Sequence, residues 1–276
     1  MDKNLNIAVV SLDIAWGDRD ENLLTASKLV DKLPKDTDIA VLPELFATGF
    51  LHDANQMTSL ADNPVTHPAT DTLRTISRRR NMAVCASLLY MPKPAVFVNR
   101  CVFIEPDGET TVYDKAHLFT LSREHRVLCP GDRRPPVVRY RGWNISMAVC
   151  FDLRFPVWLR NTGLSYDVML IPANWPVERQ YAWQHLLIAR AIENQAYMVG
   201  ANRAGADDFG SYSTDPAVYD VTGQAVAPGA DGLFCLDKAM LEKVRHDMPF
   251  AESADKFSIL YVIVSAGPTI KPQTYS

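Results

Sequence analysis

Apolar residues recur along this chain at two spacings, and the spacing changes in turn from one stretch to the next. Continuous apolar runs predict buried strands, whereas apolar residues three and four apart predict amphipathic helices. In the stretch 19–33, for example, Leu23, Ala26 and Val30 share one helical face, and Pro34 ends the pattern. Strands are predicted at 6–12, 39–42, 82–90, 95–104, 110–113, 144–150, 168–172 and 196–201, and helices at 19–33, 71–80, 156–162, 177–195 and 238–245. Helices that alternate with strands and strand pairs predict an α/β fold with a mixed sheet or two sheets and the helices outside.

The composition excludes several classes of protein. Hydrophobic residues make up 47% of the 276 residues and charged residues 22%, as in an ordinary globular domain. The net charge is −4 and no basic stripe is present, so no nucleic-acid partner is expected. The first residues are polar and no apolar run approaches the roughly 18 to 20 residues of a membrane span, so neither a signal peptide nor a membrane partner is expected.

Five cysteines are scattered along the chain, at Cys85, Cys101, Cys129, Cys150 and Cys235. An odd number without a C-x-x-C pair does not suit a disulfide framework, so a reducing, cytoplasmic environment is expected. The glycines are scattered too, and no phosphate-binding loop is indicated.

Cys150 stands where the apolar run 144–150 ends, and Pro156 follows at a position suited to a first helical turn. This order predicts a thiol on a sharp turn between a strand and a helix. The positive end of that helix and nearby backbone N–H groups would favour a thiolate, which is the nucleophilic form of cysteine.

Two more ionisable residues follow apolar strands, Glu44 after 39–42 and Lys115 after 110–113. Sites in α/β proteins gather at such strand ends. Each residue alone also suits a plainer role: a capping glutamate, a solvated lysine or a cysteine that fills the core. Only the three residues together point to a particular catalytic chemistry.

The combination resembles the nitrilase superfamily of carbon–nitrogen hydrolases over roughly residues 5–257. The matching segments are Pro43-Glu44 with Thr48-Gly49-Phe50, Lys115 with His117-Leu118-Phe119, Cys150-Phe151-Asp152-Leu153-Arg154-Phe155-Pro156, Asn174-Trp175-Pro176, Arg190-Ala191-Ile192-Glu193-Asn194 and Asn202-Arg203. The amino-acid sequence around Cys150 and Trp175 is most similar to that of the bacterial omega-amidases. The resemblance implies a single α/β domain at 1–257, folded as a four-layer α-β-β-α sandwich.

The resemblance also implies a catalytic triad of Glu44, Lys115 and Cys150. Glu44, among apolar neighbours, would take the thiol proton, pass it to the departing ammonia and then activate water. Lys115 and the backbone N–H of Phe151 would stabilise the oxyanion, and Cys150 would form a thioester. Glu124 matches a second glutamate that orients Lys115 and the substrate; its position alone would favour an exposed helix or loop charge instead. Asp114, beside Lys115, could be only a surface pair.

An omega-amidase-like substrate is the terminal amide of 2-oxoglutaramate or 2-oxosuccinamate, a small molecule with a carboxylate remote from the amide. Arg154 is a candidate for that carboxylate, although it could instead pair with Glu193 or Asp152. Aromatic candidates for the pocket walls, each equally suited to core packing, are Phe50, Phe119, Trp175 and Tyr181.

Other chemistries use some of the same residues. Cys150 with a histidine base, His117 or His185, would resemble a cysteine protease, but no protease signature surrounds it. His117, His125 and Cys129 lack the spacing of a zinc site. We therefore expect neither a metal nor a cofactor. Hydrolysis of nitriles or N-carbamoyl amino acids, or a catalytically silent relative that binds a metabolite, remain alternatives.

Two segments depart from the resemblance. The loop 205–216 differs from the family pattern and is expected to border the pocket, so it bears on substrate choice. The extension 258–276 contains an apolar, β-branched run at 259–264, which as an exposed strand edge would tend to associate with other chains. We therefore expect the extension to pack at a subunit interface of a homo-oligomer, a dimer or larger.

Overall fold

Two β-sheets and five α-helices form the molecule in a computed structural model that describes residues 4–215, 217–255 and 257. The first sheet has the strand order β13-β1-β2-β3-β4-β5. Its strands are β1 (Asn4–Val9), β2 (Ile39–Val41), β3 (Ala83–Lys93), β4 (Val96–Ile104), β5 (Thr110–Asp114) and β13 (Phe234–Asp237). The pairs β1–β2 and β2–β3 are parallel and the others antiparallel, so the sheet is mixed as predicted.

The second sheet has the order β12-β9-β8-β7-β6, and a short hairpin of β10 and β11 stands apart. These strands are β6 (Val137–Tyr140), β7 (Trp143–Met147), β8 (Val168–Ala173), β9 (Tyr197–Asn202), β10 (Ala206–Asp207), β11 (Gly210–Ser211) and β12 (Ala217–Tyr219). The helices are α1 (Arg19–Asp31), α2 (Ala54–Leu60), α3 (Pro68–Arg80), α4 (Gln180–Asn194) and α5 (Lys238–Asp247).

Side-chain alternation places the sheets face to face. In β2, Ile39 and Val41 join the core cluster shared with the second sheet, whereas Ala40 between them joins the cluster beneath α1 and α3. This is the period of two expected for a strand buried on both faces. On the far side, α4 packs on β9, where Gly200 leaves the space that Trp183 occupies. The layers are therefore helix, sheet, sheet, helix, which confirms the predicted fold class.

The helix predicted to begin at Pro156 is absent from this part of the described chain. A short 3-10 helix, Cys150–Arg154, follows β7 instead, and the amides of Phe155 and Trp158 bond three residues back, to Asp152 and Phe155. These tight turns use the backbone groups that an α-helix would need. The sequence analysis also missed α2. The predicted strand 259–264 and the extension 258–276 lie outside the described residues.

None of the helices in the described part of the chain has the length and apolarity that crossing a bilayer requires.

Candidate active site

Three strand ends bring the predicted residues into one pocket. Glu44 follows β2, Lys115 follows β5, and Cys150 follows β7, and all three line one pocket that opens to solvent. The pocket is lined by residues that follow strands of both sheets, since β2 and β5 belong to one sheet and β7 to the other. The fold therefore positions each side chain by ending a buried strand beside it.

Lys115 is buried between two carboxylates. Its Nζ lies 2.8 Å from Glu44 Oε1 and 2.9 and 2.8 Å from the two oxygens of Glu124. Burial by itself lowers the pKa of Lys115, but the charges of Glu124 and Glu44 outweigh it and raise that pKa above its usual value. Lys115 is therefore a fixed ammonium group in the pocket.

Glu44 is held by hydrogen-bond donors as well as by apolar neighbours. The Asn99 side chain donates to its Oε1 at 2.8 Å, and the backbone N–H of Asn174 donates to its Oε2 at 3.0 Å. The sequence analysis predicted a mainly apolar setting, which is incomplete, because these donors and Lys115 come from distant parts of the chain. Both carboxylate oxygens are thus fixed in direction.

Glu124 belongs to the same cluster, as the resemblance implied. Besides its two contacts with Lys115, it accepts a hydrogen bond of 2.6 Å from the backbone N–H of Phe119. Burial raises the pKa of Glu124, although Lys115 opposes that shift. Asp114, by contrast, pairs with Arg100 at 2.7 and 2.9 Å and does not line the pocket.

Cys150 is buried and has a φ of 43°, in the left-handed region that residues with a side chain rarely adopt. Its Sγ lies 4.0 Å from the carbonyl oxygen of Asn174. Burial raises the pKa of the Cys150 thiol well above its ordinary value; the charge of Glu44 adds to this and Lys115 opposes it. The predicted preference for a free thiolate is therefore wrong. A helix of five residues replaces the α-helix whose dipole was invoked, and desolvation dominates.

Asp152 ties the turn at Cys150 to the segment that follows Lys115. It accepts hydrogen bonds from the Val149 amide at 3.1 Å, the His117 amide at 3.0 Å and the Tyr113 hydroxyl at 2.8 Å. His117 Nδ1 also lies 2.7 Å from Asp152, and its ring stacks on Phe155. The imidazole is thus engaged with Asp152, which gives no support to a Cys–His pair.

His185, the other histidine considered as a base, contacts the carbonyl oxygen of Tyr181 through Nδ1 at 2.7 Å on the exposed side of α4. In the described part of the chain, no group of three or more His, Cys, Asp or Glu side chains could hold a metal ion. His125 and Cys129 therefore do not combine with His117 as zinc ligands there.

Three of the four predicted wall residues, Phe50, Phe119 and Trp175, line the pocket, and so do Phe151 and Arg154, which were predicted to contact the substrate in other roles. Tyr181 does not. It is 75% exposed and stacks on His185, because the first turn of α4 points it to solvent.

Arg154 is free of both partners that the sequence left open. Asp152 is engaged as described, and Glu193 pairs with Arg190 at 3.0 Å. The Arg154 guanidinium instead lies 5.0 Å above the ring of Trp175.

Sequence reasoning missed several site residues. Asn99 is a fully buried amide in the apolar strand β4, and Asn174 holds Glu44 through its backbone. A lone asparagine inside an apolar run is the signal that could have identified Asn99, because buried amides need partners. Arg179 lies at the end of the short 3-10 helix Val177–Arg179, and the pattern of apolar residues did not indicate that its side chain lines the pocket.

The described part of the divergent loop, residues 205–215, borders the pocket as expected. Asp207 accepts hydrogen bonds from Arg203 at 2.6 Å and from the Tyr212 hydroxyl at 2.9 Å. Phe209 at the tip of the hairpin lies 5.8 Å from the ring of Trp16, and both line the pocket. The loop is therefore anchored by charge and closes one side of the mouth with aromatic rings.

The chain is similar to known proteins over most of its length. Residues 6–232 match the family described as Carbon-nitrogen hydrolase. The omega-amidase YafV of Yersinia enterocolitica is 38% identical over 262 residues, which cover 93% of this chain and 99% of that protein. The 2-oxoglutaramate amidase of Bacillus subtilis is 32% identical over 225 residues, covering 81% of this chain and 85% of that protein.

Solved structures show the same architecture. A Xanthomonas campestris protein of the CN-hydrolase superfamily, with an arsenic adduct in its active site, superposes with a TM-score of 0.84 at 32% identity, covering 94% of this chain and 100% of its own. A Saccharomyces cerevisiae member of the nitrilase superfamily superposes with a TM-score of 0.77 at 22% identity, covering 90% and 96%. The second likeness concerns the fold alone.

Proposed function

This chain belongs to the carbon–nitrogen hydrolase family, the nitrilase superfamily, and on that premise we propose that it hydrolyses the terminal amide of a small 2-oxo dicarboxylic acid monoamide. 2-Oxoglutaramate and 2-oxosuccinamate are the substrates of choice, and the products are the 2-oxo acid and ammonia. The observation that carries this proposal is the buried Glu44–Lys115–Glu124 cluster in the same pocket as Cys150. The names of the omega-amidase relatives support the choice of amide.

The first half of the reaction forms a thioester. Because burial keeps the Cys150 thiol protonated, a base must take its proton as the sulfur attacks the amide carbonyl carbon. We assign this role to Glu44, whose fixed carboxylate belongs to the same pocket. The carbonyl π pair moves to oxygen, and Lys115 and the Phe151 amide stabilise the resulting oxyanion. Phe151 suits this role since its N–H lies in the first turn of a helix, where no helical partner exists.

The second half releases the acid. Glu44 returns the proton to the amide nitrogen, the carbon–nitrogen bond breaks, and ammonia leaves. Water then loses a proton to Glu44 and attacks the thioester carbonyl carbon. The intermediate collapses, its oxyanion re-forms the carbonyl, the carbon–sulfur bond breaks, and Glu44 returns the proton to the Cys150 sulfur. Glu124 keeps Lys115 in place throughout through its two contacts. Every group in this scheme is a side chain or an amide of this chain, so the reaction as written needs no metal or cofactor.

We further infer a cytoplasmic location and self-association into a dimer or larger assembly, with 1–257 as the catalytic domain. The described cysteines are all free thiols, which suits a reducing compartment. Removal of 258–276 tests the subunit-interface role of the extension: we expect a smaller sedimentation mass and lower thermal stability. An unchanged mass and stability would contradict it.

An ammonia-release screen tests the proposed function. It offers 2-oxoglutaramate, 2-oxosuccinamate, glutamine, asparagine, an N-carbamoyl amino acid and a simple nitrile to the purified protein. We expect the highest kcat/KM with a 2-oxo dicarboxylic monoamide. A best substrate outside that class would overturn the substrate assignment. No ammonia release from any of the compounds would favour a catalytically silent relative that binds a metabolite.

A further inference from the structure

Two guanidinium groups in the pocket lining have no counter-charge. Arg154 and Arg179 both line the pocket, and within the described residues no carboxylate lies at ion-pairing distance from either. The carboxylates of the lining are already engaged: Glu44 and Glu124 with Lys115, and Asp207 with Arg203. Arg154 and Arg179 are therefore the cations of the lining that can pair with an anionic group of the substrate.

Aromatic rings support both groups. The Arg179 guanidinium lies 5.2 Å from the centre of the Phe119 ring, and that of Arg154 lies 5.0 Å from the centre of the Trp175 ring. A guanidinium held over a ring keeps its N–H edges free for a planar anion. The backbone of Arg179 is fixed too, because Trp175 Nε1 donates to its carbonyl oxygen at 2.8 Å. These contacts order the two arginines before any substrate binds.

We propose that Arg179, acting with Arg154, binds the carboxylate at the end of the substrate remote from the scissile amide, and that Arg179 determines specificity for acidic amides. This inference rests on the proposed function and adds a residue to it. Arg179 is half-buried, whereas Arg154 is exposed, so a bond to Arg179 is less screened by water. A carboxylate can accept two parallel N–H bonds from such a group.

The contact between Arg179 and the Phe119 ring connects the proposed carboxylate site to the catalytic cluster. Arg179 stacks on the Phe119 ring, and the Phe119 amide donates to Glu124, which holds Lys115. Arg179, which would bind the acidic substrate, is thus connected through Phe119 and Glu124 to Lys115, the proposed oxyanion donor. A neutral amide of equal length gains no such interaction.

Three substrates of matched length separate the contributions: 2-oxoglutaramate, glutaramate without the 2-oxo group, and pentanamide without the carboxylate. For Arg179→Gln we expect kcat/KM to fall about 30-fold or more with both acidic amides, mainly through KM, and less than about 3-fold with pentanamide. Arg179→Lys, which keeps the charge but loses the planar fork, should give an intermediate loss. Arg78→Gln, on the exposed side of α3, is the matched control and should leave all three values unchanged.

A second readout does not depend on turnover. The dicarboxylate 2-oxoglutarate should protect Cys150 of the wild type from iodoacetamide, as followed by peptide mass spectrometry. In Arg179→Gln the protecting concentration should rise about 10-fold or more, while alkylation without 2-oxoglutarate keeps its rate.

The outcomes separate this inference from the proposed function. Equal losses on all three substrates, or unchanged selectivity and protection, would overturn the role of Arg179 while the wild-type preference for acidic monoamides still stood. If the wild type itself prefers pentanamide and 2-oxoglutarate gives no protection, the proposed substrate class fails first.

Discussion

Cys150 combines an unusual backbone conformation with a thiol that burial keeps protonated. Its φ of 43° costs of the order of 1 to 3 kcal/mol, and the carboxylate of Asp152 helps hold the turn by binding the Val149 amide. Because the pKa of this thiol is raised, its attack on the amide requires a base that takes its proton. The neighbouring pattern of apolar residues could predict the turn, but the balance between burial and charge at the sulfur depends on residues brought together by the fold.

Asn99 shows what sequence reasoning could not reach. It donates to Glu44, lies 3.5 Å from Glu124, and accepts from the Ser87 hydroxyl, which in turn accepts from the Leu45 amide. These partners lie up to 55 residues away in the chain. Periodicity identifies a buried position on β4, but it cannot name its partners.

Replacement of Asn99 by leucine, which has a similar volume, should misplace Glu44 and lower kcat about 100-fold, since small displacements of a catalytic group have effects of that order. KM should change much less, because Asn99 does not line the pocket. Steady-state ammonia release measures both constants. The exposed Asn55→Leu on α2 is the control. An unchanged kcat in Asn99→Leu would contradict a positioning role.

At the scale of elements, the strands were predictable and the connections that carry the site were not. Runs such as 39–42 and 168–172 are short and continuously apolar, which favours strands buried on both faces. The segment after Cys150 contains a proline at a helix-starting position, yet i to i+3 bonds and the contacts of Asp152 form tight turns there. Tertiary contacts determine the conformation of this segment, and local helix propensity does not predict such contacts.

Gly131 illustrates such a connection. A Cβ at this position would lie 2.1 Å from the carbonyl oxygen of Asp114, and the Gly131 amide donates to the carbonyl oxygen of Lys115 at 2.9 Å. The close approach of these two backbones sets the position of the lysine at the end of β5.

We expect Gly131→Ala to displace the backbone at Lys115, with a loss of stability of roughly 1 to 3 kcal/mol and a kcat reduced by at least about 10-fold. Urea unfolding and ammonia release measure the two effects. Gly229→Ala is the control, because the nearest atom to its new Cβ belongs to the side chain of Asp231. Full activity and stability in Gly131→Ala would show that the contact is not needed.

For the whole molecule, the alternation of strand and helix patterns predicted an α/β fold with a mixed sheet or two sheets and outer helices, whereas the four-layer sandwich was implied by the resemblance to the nitrilase superfamily. The pairing of the sheets also buries ionisable groups. Burial raises the pKa values of the Cys101 thiol and the Tyr113 and Tyr166 hydroxyls, as it does for Cys150. It likewise raises the pKa of Tyr197 to about 12.

These shifts predict a loss of stability at alkaline pH. In the unfolded chain the thiols and hydroxyls ionise near 9.0 and 10.0, whereas in the folded protein they keep their protons to higher pH. Above pH 9 the unfolded chain therefore binds fewer protons, and the free energy of unfolding falls as pH rises. Urea unfolding at pH 7, 9 and 10.5 should show little change from these groups below pH 8 and a steady decline above pH 9. A flat or rising profile would contradict the burial of these groups.

The central claim is that Cys150 is the nucleophile of an amidase, and turnover of 2-oxoglutaramate by Cys150→Ala tests it most directly. Ammonia and 2-oxoglutarate are measured together, circular dichroism checks the fold, and Cys129→Ala and Cys235→Ala, which remove exposed thiols, serve as controls. We predict equimolar products from the wild type and both controls, and turnover at the background rate from a folded Cys150→Ala. A folded Cys150→Ala that retains a tenth or more of wild-type turnover would contradict the account.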